Sequence, residues 1–140
     1  GLGTSRALMD LTFEKLEEAG ITPDYRAGFG GQSAHAERLV RLEAEYEAAR
    51  LSVLRAKWLE DQGRPVKVEA SMAKAMGGMA ARRITQECLE LLGPMSLSEE
   101  HFAEKWFRDA RISDIYEGPG EIQRLLIARN LLGYSQKDIR

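Results

Sequence analysis

The 140-residue chain has few of the features that mark secreted, membrane-bound or nucleic-acid-binding proteins. Its single cysteine, Cys88, cannot form a disulfide within the chain. No apolar run has the length of a signal-peptide core or of a membrane-spanning helix. The 20 lysines and arginines nearly balance the 22 aspartates and glutamates, so the net charge of -2 gives no general attraction to nucleic acid or to anionic membranes. These absences predict a cytoplasmic protein with no nucleic-acid or membrane partner.

Motifs for common metal and phosphate sites are also missing. Neither His35 nor His101 follows a carboxylate at the spacing of the Glu-x-x-His ligands in a di-iron bundle. No glycine-rich loop of the P-loop or dinucleotide-binding type occurs. We therefore predict no metal site, and we interpret Cys88 as a small buried hydrophobic residue rather than a nucleophile.

Apolar residues recur at three- and four-residue steps over most of the chain, and no strand-like alternation interrupts them. Glycine and proline divide this pattern into segments. The predicted helices cover residues 5–19, 33–62, 66–92, about 98–107, and about 121–132. We therefore predict a single all-α domain over residues 1–140: an up-down four-helix bundle with a short extra helix before the loop described below.

The third predicted helix has features that require close packing. Gly77 and Gly78 lie in its middle, where each glycine costs on the order of 1 kcal/mol relative to alanine, so a close neighbour or a ligand is expected there. Several large side chains lie at apolar helical positions and are predicted to pack in the core: Trp58, Trp106, Met72, Met76 and Met79.

The most informative segment is residues 108–129, which read RDARISDIYEGPGEIQRLLIAR. It places Glu117 in a loop between two helices, with Tyr116 before it and Gly118, Pro119 and Gly120 after it. Glycine and proline restrict the backbone shapes available around Glu117. From these residues alone, Glu117 could be a solvated side chain, a cap for the following helix or a catalytic carboxylate. The charged residues Arg108, Asp109 and Arg111 are expected to tie the short helix to the bundle.

This segment closely resembles the signature of the acyl-CoA dehydrogenases, in which Arg-Asp-Ala-Arg is followed by Ile-Tyr-Glu-Gly and Glu-Ile-Gln-Arg. The resemblance extends over nearly the whole chain, to the C-terminal helical domain of that family. It implies that Glu117 is the base that removes the α-proton of an acyl-CoA thioester, in a buried, apolar setting. It also implies hydride transfer from the β-carbon to N5 of FAD, a trans-2-enoyl-CoA product, and an electron-transfer flavoprotein as acceptor.

The same resemblance assigns roles to the residues next to Glu117. The backbone amide of Glu117 would donate a hydrogen bond to the forming enolate oxygen. Tyr116 and Gly118 would adjoin the substrate, although a simple turn glycine is an equally good interpretation of Gly118. Pro119 and Glu121 lie where the family contacts the flavin nucleotide. Pro119 departs from the family's usual threonine and offers no hydroxyl.

Two other elements would approach the FAD of a neighbouring subunit. The first contains Glu90 and Gly93, where the family has Gln-x-x-Gly-Gly; a glutamate near a pyrophosphate is unfavourable unless it faces a ribose hydroxyl or turns away. The second contains Arg26 and Phe29, where the family has an arginine followed by Phe-Gly at a different spacing. Arg26 would suit a diphosphate, but it could equally be an ordinary loop arginine.

The family's N-terminal helical domain and middle β-domain have no counterpart in these 140 residues. The resemblance therefore implies that the isolated domain is inactive, and that it assembles as dimers that pair into tetramers. The alternative is a non-catalytic assembly subunit, or a helical interaction module of the same fold, whose flavin site has decayed. Pro94, Pro119 and Glu90 favour that alternative, and the retained Glu117 opposes it.

Overall fold

The computed structural model describes residues 1–135 and 137–138, with the side chain of Phe29 outside the description. The described residues contain five α-helices and no strand: α1 (Leu2–Glu18), α2 (Ala34–Asp61), α3 (Lys67–Leu92), α4 (Ala103–Ala110) and α5 (Gly120–Leu132). Short 3₁₀ turns lie at Phe29–Gly31, Gly93–Leu97 and Arg111–Asp114. The predicted all-α class is confirmed. Within the described part of the chain, no helix is long and apolar enough to cross a membrane.

Capping residues explain where several helices begin and end. The Ser33 hydroxyl accepts a hydrogen bond from the Ala36 amide at 3.2 Å and so starts α2. Gly133 takes left-handed backbone after α5, as expected for a C-terminal cap. The predicted start of the short helix near Ser98 is wrong. The Ser98 hydroxyl accepts from the Glu100 amide in a local turn, which competes with helix, and α4 begins only at Ala103.

The first three helices alternate in direction. Arg38, near the start of α2, bonds through Nη2 to Oε2 of Glu87, near the end of α3, at 2.5 Å. Leu2, at the start of α1, lines the same pocket as Val53 in the second half of α2. α2 therefore runs antiparallel to both α1 and α3, as an up-down arrangement requires.

The buried core lies among α1, α2, α3 and α4. Its members are Leu8, Met9, Leu16, Leu39, Leu42, Ala49, Ala80, Ile84, Cys88, Leu91, Leu92 and Ala103. Helix α5 lies against the outer side of α3, and Gly120 is its only buried residue among those whose burial is described. The short helix α4 therefore supplies the fourth wall of the core, while α5 positions the loop that precedes it.

Several predicted core residues are exposed. Trp58, in the last turn of α2, is 54% exposed. Met76 and Met79 are also exposed and border a shallow pocket between α3 and α5, whereas Met72 is half-buried. Trp106 packs against the core, as predicted.

The charged residues of α4 do not tie this helix to the bundle, so that expectation was wrong. Arg108 bonds to Glu104 of the same helix, and Asp109 pairs with Lys105. The guanidinium of Arg111 lies 5.0 Å from the centre of the Phe107 ring. These contacts stay within α4 and the turn that follows because the polar side of the helix faces solvent.

Candidate active-site loop

The loop that carries Glu117 joins the 3₁₀ turn Arg111–Asp114 to α5. The amides of Ile115 and Tyr116 both donate to the carbonyl oxygen of Ile112, at 3.0 and 3.1 Å, and so hold the first half of the loop. Lys74 of α3 donates from Nζ to the carbonyl oxygen of Ser113. The Lys74 ammonium also lies 4.8 Å from the centre of the Tyr116 ring, a cation–π contact. The loop is therefore attached to the middle of α3.

Glu117 has an unusual backbone conformation. Its φ of +53° makes it the one non-glycine residue with positive φ among the described residues, and Gly118 follows at +95°. Left-handed backbone costs a non-glycine residue about 1–2 kcal/mol. Such conformations persist where surrounding contacts hold them, and they are found preferentially at functional sites. A glutamate at this position is therefore poorly explained by local conformational preference alone.

The Glu117 side chain is exposed in this chain. The buried, apolar setting that the sequence led us to expect is not present among the described residues, because no helix of this domain covers the loop. Nothing in the described part of the chain accepts a hydrogen bond from the Glu117 amide. The residue thus presents both a carboxylate and a free backbone donor.

Gly118 is favoured by its contacts and more strongly by its backbone conformation, because the flexible Gln123 side chain can move aside. A Cβ at this position would overlap Nε2 of Gln123, which donates to the Gly118 carbonyl oxygen at 3.3 Å. The positive φ adds a second reason for glycine. The conformation of the turn therefore accounts for this glycine without any ligand.

Gly78 and Gly120 make space for Asp114. A Cβ on Gly78 would lie 2.8 Å from Oδ1 of Asp114, and a Cβ on Gly120 would lie 2.7 Å from the same atom. Oδ1 is buried and has no hydrogen-bond partner among the described residues. The close neighbour that we expected at the mid-helix glycine pair is therefore Asp114, and it contacts Gly78. Gly77 instead faces open space.

An apolar pocket of about 360 Å³ lies beside the loop. Its walls come mainly from small or apolar residues of α2 and α3, including Val53, Ala56, Ala73 and Gly77, and Tyr116 forms part of its edge. The pocket is open to solvent on one side. It offers apolar contact within reach of the residue that precedes Glu117.

Pro119 and Glu121 adjoin the loop at the start of α5. Pro119 is the N-cap residue and supplies no side-chain cap, so the first amides of α5 lack a side-chain acceptor. Glu121 lies in the first turn, with its side chain 80% exposed and 3.9 Å from Arg124. The structure therefore groups Tyr116, Glu117, Gly118, Pro119 and Glu121.

The remaining predicted cofactor residues lie elsewhere. Arg26 is exposed in the α1–α2 connection, where its amide donates to Oδ1 of Asp24 at 2.9 Å. Phe29 starts a 3₁₀ turn in the same connection, with its side chain outside the described part of the structure. Gly93 ends α3 with a φ of +57°.

Glu90 is not an isolated anion. Its Oε2 accepts from Nη2 of Arg38 at 2.9 Å, and its Oε1 accepts from Nε2 of Gln86 at 3.2 Å. Lys74 and Glu90 are sixteen positions apart on α3, which corresponds to about 24 Å along the helix axis. The residues near Glu90 and the Glu117 loop therefore belong to two separate regions of one chain.

Sequence reasoning missed three residues that shape the loop: Lys74, Asp114 and Gln123. Only one signal in the sequence pointed to them. Lys74 precedes the conspicuous Gly78 by four residues, so the two share one side of α3. What that side contacts depends on the tertiary structure.

The family model and the similar curated sequences name the same family. A family model described as acyl-CoA dehydrogenase, C-terminal domain, matches residues 2–132. Over 135 residues the chain is 37% identical to the mitochondrial short-chain specific acyl-CoA dehydrogenase of Bos taurus, covering 94% of this chain and 31% of that protein.

Solved structures show the same likeness. Butyryl-CoA dehydrogenase from Megasphaera elsdenii aligns with a TM-score of 0.77 at 30% identity, over 94% of this chain and 33% of that one. A glutaryl-coenzyme A dehydrogenase in complex with glutaryl-CoA aligns with a TM-score of 0.79 at 25% identity, over 97% of this chain and 34% of that one. The chain spans about a third of the length of the curated relatives it matches.

Proposed function

We propose that Glu117 is the base of an α,β-dehydrogenation, because the chain belongs to the acyl-CoA dehydrogenase family, whose C-terminal domain it matches. Its carboxylate removes the α-proton of an acyl-CoA thioester, and the product is a trans-2-enoyl-CoA. The observation that carries this proposal is the position of Glu117: a carboxylate in left-handed backbone, within the matched domain, beside an apolar pocket.

The free backbone amide of Glu117 can stabilise the enolate that forms when the α-proton is removed. Proton removal moves negative charge onto the thioester oxygen, and a fixed N–H donor stabilises that charge. Since no described residue accepts from the Glu117 amide, this donor is available to a substrate. One residue thus supplies the base and the donor, and the left-handed conformation fixes their relative directions.

The exposure of Glu117 indicates what the rest of the enzyme contributes. A carboxylate surrounded by water is a weak base for the α-proton of a thioester, so the site needs an apolar cover. We assign that cover to an N-terminal helical domain and a middle β-domain of the same enzyme. The domain described here is inactive on its own.

FAD is the cofactor we propose, and when bound it accepts the hydride from the β-carbon. Pro119 and Glu121 would contact the flavin nucleotide, and the first amides of α5, which lack a side-chain cap, would suit an electronegative group of it. Arg26, Phe29, Glu90 and Gly93 would contact the nucleotide bound by a neighbouring subunit. Glu90 fits this position because Arg38 already offsets its charge.

The two separate regions explain why oligomers are needed. Since about 24 Å of α3 separates Lys74 from Glu90, we assign the region around Glu90 to the cofactor of a second copy. Exposed apolar side chains on α5 suit assembly into dimers and tetramers: Ile122, Leu125, Leu131 and Leu132. An electron-transfer flavoprotein is the proposed acceptor, and the cytoplasmic location stays a prediction.

A second candidate function is a non-catalytic assembly subunit of the same fold. The absence of a hydroxyl at Pro119 favours it. That candidate predicts no flavin binding, which separates it from the first.

The test is the anaerobic reduction of oxidised flavin by a panel of acyl-CoA thioesters, in the intact protein that contains this domain. Glu117→Gln keeps the size of the side chain and removes the base, so flavin reduction should slow by about 10²-fold or more. Glu99→Gln is the matched control, because Glu99 is an exposed loop carboxylate distant in sequence from the site. Equal reduction rates for wild type and Glu117→Gln would refute the assignment. A protein that never binds FAD would favour the assembly subunit.

A further inference from the structure

We propose that Lys74 is a positioning residue that holds the Glu117 loop in its working conformation. This inference rests on the proposed role of Glu117 as the base. Two contacts of Lys74 support the inference. Lys74 Nζ donates a hydrogen bond to the Ser113 carbonyl oxygen, and the ammonium group makes a cation–π contact with the Tyr116 ring. Tyr116 is the residue that directly precedes Glu117.

The partners of Lys74 distinguish it from an ordinary surface lysine. It is half-buried, and none of the ion pairs formed by the described residues includes it. Its hydrogen bond and its cation–π contact are both with residues 113–116. A partly desolvated ammonium without a carboxylate partner depends on such contacts. The hydrogen bond and the cation–π contact of Lys74 therefore link α3 to the loop.

Gly78 makes a second attachment one helical turn later. Its missing side chain lets Asp114 approach α3 closely, with the Asp114 Cα 3.1 Å from where a Cβ would lie. Lys74 and Gly78 lie on the same side of α3 because residues four apart in a helix are neighbours. The loop thus contacts α3 at two successive turns: Lys74 donates a hydrogen bond to it, and Gly78 allows its backbone to approach closely.

These attachments matter because of the backbone at Glu117. A non-glycine residue in left-handed conformation relaxes unless neighbouring contacts prevent it. Lys74 restrains Ser113 and Tyr116, on either side of residues 114–115, and so opposes that relaxation. Without it, both the carboxylate and the amide of Glu117 would change direction, while the pocket walls formed by Val53, Ala56 and Ala73 would remain.

The test compares Lys74→Met with Lys74→Arg in the intact, flavin-loaded protein. Lys74→Met keeps the length of the chain and removes both the charge and the donor, whereas Lys74→Arg keeps both. Lys67→Met is the matched control, since Lys67 is exposed on the same helix and has no bonding partner among the described residues.

The first readout is hydrogen exchange, which does not depend on catalysis. In Lys74→Met we expect the amides of Ile115 and Tyr116 to exchange about tenfold faster, with α2 unchanged. Lys74→Arg should restore most of the protection, and Lys67→Met should exchange like wild type. Unchanged exchange at Ile115 and Tyr116 in Lys74→Met would overturn the proposal, whatever the rate of flavin reduction.

The second readout is the division of the kinetic effect. A displaced base lowers kcat, so we expect a loss of about 10- to 100-fold in kcat in Lys74→Met. KM should change by less than about threefold, because the walls of the apolar pocket formed by Val53, Ala56 and Ala73 remain. A change in KM alone would overturn the positioning role. If Lys74→Met fails to fold, Lys74→Gln shortens the side chain and removes the charge, and the same two comparisons decide the outcome.

The two proposals fail in different ways. If Glu117→Gln reduces flavin as fast as wild type, the role of Glu117 as the base is wrong. If Glu117→Gln is slow but Lys74→Met leaves loop exchange and kcat unchanged, only the role of Lys74 is wrong.

Discussion

The carboxylate of Asp114 lies in the space that a side chain at Gly78 would occupy. A Cβ on Gly78 would come within 2.8 Å of Asp114 Oδ1 and 3.1 Å of the Asp114 Cα, which belongs to the backbone and cannot move away easily. The contact joins the middle of α3 to the turn that leads into the Glu117 loop. The position of that loop therefore depends on a residue that has no side chain.

Gly78→Ala and Gly77→Ala should change stability in opposite directions. Alanine at Gly77 meets open space, so its better helix propensity should raise the free energy of unfolding by up to about 1 kcal/mol. Alanine at Gly78 forces Asp114 outward, and overpacking of this kind costs about 1–3 kcal/mol. Chemical denaturation of both variants checks the prediction. Equal gains at the two positions would contradict the close approach of Asp114.

Glu117→Gly should stabilise the protein while abolishing its proposed activity. Glycine adopts a φ of +53° without steric cost, so the free energy of unfolding should rise by about 1 kcal/mol. Glu117→Gln keeps the strained conformation and should leave stability nearly unchanged. Thermal unfolding of the two variants separates backbone strain from the loss of charge. A destabilised Glu117→Gly would show that the side chain makes favourable contacts that this domain does not reveal.

Pro119→Thr should strengthen the start of α5. Pro119 is the N-cap residue of this helix and offers no side-chain acceptor, whereas a threonine hydroxyl can accept from the first free amides. We expect a gain of about 0.5–1 kcal/mol in the free energy of unfolding, reduced by the loss of proline rigidity.

Pro119→Val is the control for that change, because valine has the shape of threonine without the hydroxyl. Chemical denaturation of both variants measures the difference. Equal stability of the two would mean that the hydroxyl caps nothing. Titration with FAD shows whether the threonine also increases flavin affinity, as the family's usual residue at this position implies.

Cys88 should make the protein less stable at high pH. Burial raises the pKa of the Cys88 thiol to about 11, from 9.0 in the unfolded chain. Between these values the unfolded chain loses the proton and the folded chain keeps it. Stability therefore falls with rising pH in this window, by about 1.4 kcal/mol per pH unit, and the contribution is fully present below pH 9.

Cys88→Ala isolates this effect, since other groups titrate equally in both proteins. The difference in unfolding free energy between wild type and Cys88→Ala should shrink as the pH rises from about 8 to about 10.5. A constant difference would show that the thiol titrates alike in the folded and unfolded chains. Thiol reagents should also label Cys88 slowly until the protein unfolds.

The sequence predicted the features that depend on neighbouring residues in the chain, and it missed features that depend on local side-chain turns or on contacts between helices. The recurrence of leucine and alanine at three- and four-residue steps predicted α2, α3 and α5 to within about two residues, because amphipathic helices follow from local periodicity. The start of α4 was missed because a hydroxyl–amide turn at Ser98 competes with helix. The exposure of Trp58 was missed because a helical pattern shows which residues share a face but not which faces the neighbouring helices cover.

The features of the candidate site also fall into two groups, those that the sequence determined and those that depend on the tertiary structure. By itself, the sequence determined the helical class, the membership in a family and the identity of Glu117 as the carboxylate to test, because periodicity and an ordered signature are properties of the chain alone. Only the tertiary structure decided that Glu117 takes left-handed backbone, that Lys74 attaches its loop to α3, and that Glu90 pairs with Arg38 far from it. Each of these depends on residues 39 or more positions apart, or on backbone angles that distant contacts maintain.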